Sequence, residues 1–160
     1  MKRIGYWGLG IPSLSLVALL VAACAPKATE LQPPEIVYGQ AMCDECGMII
    51  SEARFAAATL TTAGQPHKFD DIGDMLVYHM DHPEEQVRAW FVHDHNSRSW
   101  MRGETAFYVL STEIKSPMGH GLAAFADRKA AEAFAGQLGA GARLLTFDEL
   151  RVEMHNRVHG

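Results

Sequence analysis

The chain has 160 residues and a formal net charge of −5 at neutral pH, with 48% apolar and 21% charged residues. This composition excludes a fibrous or wholly disordered protein, and the excess of acidic residues argues against a nucleic-acid partner. Three cysteines, eight methionines and eight histidines supply the soft and borderline ligands that transition-metal sites use.

The first 23 residues are typical of an export signal. Lys2 and Arg3 precede an apolar run from Ile4 to Leu20, and small residues lead to Cys24. A membrane-spanning anchor is an alternative, but glycine, proline and serine residues interrupt the apolar run. The ending Val-Ala-Ala-Cys resembles the bacterial lipobox, in which the cysteine becomes the lipidated first residue of the mature chain. The sequence therefore predicts a lipoprotein signal peptide over 1–23 and lipidation of Cys24.

The mature chain is expected to lie outside the cytoplasm, anchored to the membrane by its lipid. Ala25, rather than Asp, follows the lipidated cysteine, which by resemblance to Gram-negative sorting favours the outer over the inner membrane of a periplasm-facing protein. Residues 24–38 contain three prolines and no apolar periodicity, so they are predicted to form a flexible tether. The remaining residues, 39–160, are enough for one domain or two very small lobes.

The folded part shows the order strand, strand, helix, strand twice. This order predicts an α+β fold of two small ββαβ lobes, at about 42–100 and 101–160, which can share one core. The first helix is expected to begin at a cap formed by Asp70 or Asp71, and Asp148 is expected to cap a short C-terminal helix. The predicted strands are 55–62, 67–69, 87–92, 106–110, 122–126 and 142–147, and the second helix is predicted over 128–138.

The strongest chemical signal is the segment Met42-Cys43-Asp44-Glu45-Cys46-Gly47-Met48, which holds four sulfur atoms in seven residues. Gly47 allows a tight turn, so Cys46 and Met48 can point at one metal ion. Thiolate and thioether ligands select Cu(I) over harder ions. Three alternatives remain: a structural disulfide, a thioredoxin-like redox pair and a zinc site, although a second cysteine pair for zinc is missing.

A second signal is the segment Ser116-Pro117-Met118-Gly119-His120-Gly121, where proline and two glycines fix a turn that exposes a thioether and an imidazole. A methionine in a loop is harder to explain as core filler than one on a helix face. We expect this loop and the cysteine segment to occupy comparable places in the two repeats. Met118 and His120 are therefore further candidate metal ligands.

Other polar clusters have simpler interpretations. The triplet His93-Asp94-His95 is interpreted as a solvated strand end, and four histidines are interpreted as surface residues: His79, His82, His155 and His159. No Ser-His-Asp order, phosphate loop or paired carboxylates stand out, so the sequence makes no independent case for an enzyme.

Three segments together resemble the NosL family, the copper-binding lipoproteins that are accessory to nitrous oxide reductase. They are the run from Cys43 to Met48, the triplet Phe69-Asp70-Asp71, and the run from Pro117 to Phe125. The resemblance implies a non-enzymatic lipoprotein that binds one Cu(I) and delivers it for assembly of the copper–sulfur cluster of that enzyme. The implied partners are the membrane complex of an ABC transporter and its periplasmic protein.

The resemblance also implies the fold of two ββαβ lobes and a set of metal ligands. Cys46, Met48 and Met118 are the motif positions, Cys43 is a further participant or a reserve thiol, and His120 is a weaker candidate. The alternative function is a lipid-anchored thiol–disulfide redox protein that uses Cys43 and Cys46. The two hypotheses differ over the methionines, because a dithiol enzyme has no need of thioethers.

Overall fold

A computed structural model describes residues 30–160. The predicted signal peptide, Cys24 and the tether up to residue 29 lie outside the described residues. The first repeat contains β1 (Ala57–Thr61), β2 (Pro66–Phe69), α1 (Ile72–Asp81), β3 (Val87–His93) and a short β4 (Trp100–Arg102). After a 3-10 helix (Gly103–Thr105), the second repeat contains β5 (Phe107–Leu110), β6 (Leu122–Phe125), α2 (Arg128–Leu138), β7 (Arg143–Leu145) and the C-terminal α3 (Phe147–His159).

The strands form two antiparallel sheets, of four and three strands, in which the first three strands have the same order. In the first sheet the order is β2-β1-β3-β4, and in the second it is β6-β5-β7. In each repeat the first strand is therefore central, and the second and third strands flank it. This confirms the predicted α+β fold of two ββαβ repeats. The edge strand β4 was not predicted; it pairs with the end of β3, where Phe91 lies opposite Arg102.

One apolar core serves both repeats. Its largest cluster joins Phe69 and Ile72 of the first repeat to Tyr108 and Leu122 of the second. Both central strands contribute to it, because alternate side chains of each strand point to the same side of the sheet. The lobes that the sequence predicts are therefore two sequence repeats within one packed unit.

The segment His93–His95 joins the two sheets, so its interpretation as a solvated strand end is wrong. His93 is buried, and its ring bonds to the Tyr38 hydroxyl (2.7 Å) and to a backbone carbonyl. Asp94 Oδ1 accepts a bond from the Ala126 amide (3.0 Å), and the His95 amide donates to the Ala124 carbonyl (2.8 Å). Polar residues occupy these positions because their side chains form hydrogen bonds with backbone groups at a buried junction.

Chain packing begins before residue 39, which was the expected end of the tether. Leu31 packs against the outer face of the first sheet, and Ile36 belongs to the main core. A turn follows, in which the Ala41 amide bonds to the Val37 carbonyl (2.8 Å). These contacts were not predicted, because the proline-rich segment is extended and an extended segment can pack without apolar periodicity.

The helix boundaries agree with those predicted from the sequence, except at the start of α3. Asp71 caps α1 as expected, and its side chain accepts a bond from the Gly73 amide (2.9 Å). The cap of α3 is Thr146, not Asp148 as predicted. Thr146 and Glu149 exchange side-chain and backbone bonds in a capping box, which lengthens the helix to 13 residues.

His79 also differs from its interpretation as a surface residue. It lies half-buried on α1, where its Nε2 is 2.8 Å from the Thr59 hydroxyl of the central strand. In contrast, His155 and His159 are exposed on α3, as expected. Within residues 30–160, no helix has the length and apolar character needed to span a bilayer.

Candidate metal centre

The cysteine segment folds into a tight loop just before the first sheet. Met42 and Ile49 form an isolated antiparallel bridge, and inside it the Cys43 amide donates to the Met48 carbonyl (2.8 Å). The Gly47 amide closes a turn on the Cys43 carbonyl (3.0 Å), with a φ of +70°. That backbone conformation favours glycine, so the sequence provides the residue that the loop needs.

The loop is attached to the edge strand β2. The Asp44 amide donates to the Lys68 carbonyl (2.9 Å), and the Lys68 amide donates in return to Asp44 Oδ2 (2.7 Å). This reciprocal pair brings both thiols to the start of α1, because β2 runs directly into that helix.

Two carboxylates at the start of α1 face the two thiols. The Cys43 thiol donates to Asp74 Oδ2 (3.5 Å), and the Cys46 thiol donates to Asp70 Oδ1 (3.6 Å). One ligand atom from each of these four residues lies within 4.8 Å of the others. Cys43 and both aspartates are buried, whereas Cys46 is partly exposed. Both cysteines are free thiols.

The second predicted loop reaches the same helix start from the other repeat. Asp71 Oδ2 accepts bonds from the Ser116 hydroxyl (2.6 Å) and from the Met118 amide (3.1 Å). The Ser116 hydroxyl in turn accepts a hydrogen bond from the Gly121 amide (3.1 Å). Gly121 has a φ of +71°, and a Cβ there would lie 2.3 Å from the Ser111 carbonyl oxygen. Glycine is therefore required for the close approach that shapes this loop.

Asp74 connects the two loops. Its Oδ2 accepts from Cys43, and its Oδ1 accepts from His120 Nε2 at 2.9 Å. The imidazole can approach only because Gly73 has no side chain, since a Cβ at Gly73 would lie 2.0 Å from the His120 ring. The cysteine loop of the first repeat and the methionine–histidine loop of the second thus meet across one buried carboxylate.

The electrostatics of the candidate centre favour protonated thiols. Burial raises the pKa of the Cys43 and Cys46 thiols above their ordinary value, because a low-dielectric environment disfavours the thiolate. Burial and the neighbouring Asp74 carboxylate also raise the pKa of Asp70. The hydrogen bond to Asp74 raises the pKa of His120. A bound cation would supply the positive charge that two thiolates need here.

The structure brings together some of the predicted ligands directly and others through their loops. Cys43 and Cys46 share one cluster, and His120 adjoins it through Asp74. Met48 and Met118 are 53% and 38% exposed, and both belong to loops that border the cluster. The assignment of these two thioethers as metal ligands stays a prediction.

Sequence reasoning missed the two carboxylates of the cluster. Asp70 was interpreted as a helix cap, and Asp74 was not singled out. Asp74 lies in the first turn of α1, and Asp70 directly precedes the Asp71 cap. Both carboxylates join the cluster through long-range contacts with the cysteine loop, which no local pattern in the sequence shows.

The expected equivalence of the two loops is wrong. The cysteine loop precedes β1, whereas the loop that carries Met118 and His120 connects β5 to β6. In the first repeat the connection between β1 and β2 is a short turn at 62–65. The candidate metal centre is therefore asymmetric, although the sheets around it repeat.

Comparisons with known proteins identify the family of this chain. Residues 34–155 match the family model of NosL. The chain is 29% identical to the copper-binding lipoprotein NosL of Stutzerimonas stutzeri, over 94% of this chain and 84% of that protein. The crystal structure of the copper chaperone NosL from Shewanella denitrificans superposes with a TM-score of 0.62 at 27% identity, covering 74% of this chain and 94% of the other. The chain belongs to the NosL family.

Proposed function

We propose that this protein is a lipid-anchored Cu(I) chaperone that delivers copper for assembly of the copper–sulfur cluster of nitrous oxide reductase. The observation that carries the proposal is the convergence of the Cys43 and Cys46 thiols at the junction with the methionine–histidine loop. Soft sulfur ligands select Cu(I). The names of the two relatives, a copper-binding lipoprotein and a copper chaperone, support a carrier rather than an enzyme.

The geometry suits transfer as well as binding. Cys46 is partly exposed, and Met48 and Met118 are more exposed still. A partner can therefore add its own ligand to the ion before the thiolates leave, which avoids release of a free ion. The implied partners are the membrane ABC-transporter complex and its periplasmic protein. A lipid on Cys24 would hold the chaperone near such a membrane partner and raise its effective concentration.

Binding is tested by titrating the metal-free protein with Cu(I) against a competing chelator, and separately with Zn(II). Zinc is included because Asp70 and Asp74 would complete a four-ligand site with the two cysteines. We expect one Cu(I) per chain, bound more tightly than Zn(II). Preference for Zn(II) would overturn the copper assignment.

The thioethers are tested by Met118→Leu, which keeps the volume and removes the ligand atom. We expect Cu(I) affinity to fall by about tenfold or more, equal to about 1.4 kcal/mol, with no loss of folding. Met42→Leu is the matched control, because Met42 is an exposed methionine at the edge of the cysteine loop. Unchanged affinity in Met118→Leu would remove Met118 from the ligand set.

Delivery and anchoring need experiments in cells. A Cys46→Ser strain should produce nitrous oxide reductase that lacks its catalytic cluster, with the electron-transfer copper site less affected. Normal reduction of nitrous oxide at limiting copper would refute the delivery role. A Cys24→Ser variant should leave the membrane fraction, and its equal retention there would argue against lipidation.

The redox alternative rests on the same two free thiols. In a dithiol protein, Cys43→Ser would abolish disulfide exchange with a model disulfide peptide, whereas Met118→Leu would change nothing. The raised thiol pKa values do not favour this chemistry, since redox-active cysteines have lowered pKa values.

A further inference from the structure

The last two turns of α3 carry a pair of histidines on one helix face. His155 and His159 are four residues apart, so their side chains are neighbours on the helix surface. Both residues are exposed. Their ring centroids are 4.8 Å apart, and the ring planes are inclined by 55°.

These two imidazoles have no hydrogen-bond or ion-pair partner among the residues that the structure describes. The two histidines at the C-terminal end of α1 and at its cap differ in this respect. His79 bonds to the Thr59 hydroxyl, and His82 bonds to the Tyr78 carbonyl and stacks on its ring. The nitrogen atoms of His155 and His159 are therefore available to an external ligand.

The spacing of the rings suits a shared metal ion. An imidazole nitrogen binds a divalent transition metal at about 2.0–2.1 Å, which puts the ring centre about 3.2 Å from the ion. Two such rings in adjacent coordination positions would have centroids about 4.5–5.2 Å apart. The observed 4.8 Å lies within this range without any change in the helix.

The local charges also permit a cation at this position. The negative end of the helix dipole lies at the last turn of α3, where a positive charge is stabilised. The nearest cationic side chain in sequence, Arg157, forms an ion pair with Glu153 (3.1 Å), which also binds Arg143 (2.8 Å). Glu153 carries one negative charge for two arginines, so it compensates the charge of Arg157 only in part.

We propose that His155 and His159 form a two-ligand surface site for a divalent first-row transition metal. The pair binds Cu(II) more tightly than Ni(II) or Zn(II), following the general order of affinities. Water completes the coordination sphere. The site differs from the cysteine centre in its ligand class, because imidazole suits divalent ions and sulfur selects Cu(I). It does not depend on the proposed function.

The test is a calorimetric titration of the full-length protein with Ni(II)–nitrilotriacetate. This complex leaves two adjacent coordination positions open and does not oxidise thiols. We expect one complex to bind per chain. His155→Gln and His159→Gln should each weaken binding by about tenfold or more, since a lone imidazole loses the advantage of a second tethered ligand. Both residues are exposed, so neither change should alter the thermal unfolding temperature.

Two control variants separate chelation from the mere presence of histidines. His82→Gln removes a histidine outside the pair and should leave binding unchanged. The double variant His159→Gln with Arg157→His keeps the number of histidines but places them two residues apart, on different sides of the helix, so it should bind as weakly as His159→Gln alone. Unchanged binding in His155→Gln and His159→Gln would overturn the proposal, and so would full binding in the double variant.

Discussion

Asp71 is the residue whose removal should most clearly reveal how the two repeats are joined at the metal centre. It is fully buried (0% exposed), and its carboxylate accepts three bonds. Oδ1 caps α1 through the Gly73 amide, and Oδ2 holds the second loop through Ser116 and Met118. We consider Asp71→Asn, which preserves the shape and the cap.

The expected loss in the free energy of unfolding depends on which of these hydrogen bonds the asparagine side chain can still form. The amide oxygen of the new side chain can still cap α1, since asparagine is a good N-cap residue. Its NH2 group can donate to the Ser116 hydroxyl, which is able to accept. The Met118 amide, however, loses its acceptor, because the NH2 group that replaces Oδ2 is itself a donor. Losing a bond from an amide to a charged acceptor costs about 1.5–3 kcal/mol, so we expect a loss of about 2–3 kcal/mol in the free energy of unfolding, with weaker Cu(I) binding.

Denaturant unfolding of the metal-free protein measures this change. Asp127→Asn is the matched control, because Asp127 caps α2 through the Ala130 amide (2.9 Å) but is exposed and holds no second loop. The control should lose less than about 0.5 kcal/mol. If Asp71→Asn proved as stable as the control, the carboxylate would not be what holds the second loop, and the reasoning would fail.

Two further predictions concern the folded unit. Burial lowers the pKa of His79 to about 4, so between about pH 6.5 and 4 the unfolded chain binds a proton that the folded state excludes, and stability should fall with falling pH. The full shift corresponds to about 3 kcal/mol, which the partial exposure of the ring reduces to about 1–2 kcal/mol; His67, His82 and Glu85 also act on this ring. Denaturant unfolding across this pH range should show a shallower dependence in His79→Gln, and an unchanged slope would contradict the assignment. Gly121→Ala should cost more than about 2 kcal/mol, because the new Cβ would meet the Ser111 carbonyl. Gly136→Ala, in open space on α2, should instead stabilise by up to about 1 kcal/mol, and equal effects of the two changes would show that the close contact is unimportant.

The sequence predicted best where local pattern and local structure coincide. The bounds of α2 are those expected, since an apolar face from Ala131 to Leu138 ends at a glycine. The start of α3 was misplaced because Asp148 and Thr146 are both plausible caps. Only the pairing of Thr146 with Glu149 distinguishes them.

The cysteines of the candidate metal centre were predictable from the sequence, and its carboxylates were not. The spacing of Cys43 and Cys46 is a local signal, whereas Asp74 joins the centre through a contact 31 residues away in sequence. His93 was misjudged for the same reason. Its partner Tyr38 lies 55 residues earlier, in a segment that the sequence assigned to the tether.

The junction of the two sheets has a consequence for how metal can enter and leave. Main-chain and carboxylate bonds join the end of β3 to β6, and one core runs beneath both repeats. These contacts oppose a hinge motion that would separate the two repeats. Access to the buried Cys43 thiol would then depend on excursions of the surface loops, whereas Cys46 is already partly exposed. Amide hydrogens on β3 and β6 should accordingly exchange together, at the free energy of global unfolding, while those of the two loops exchange sooner.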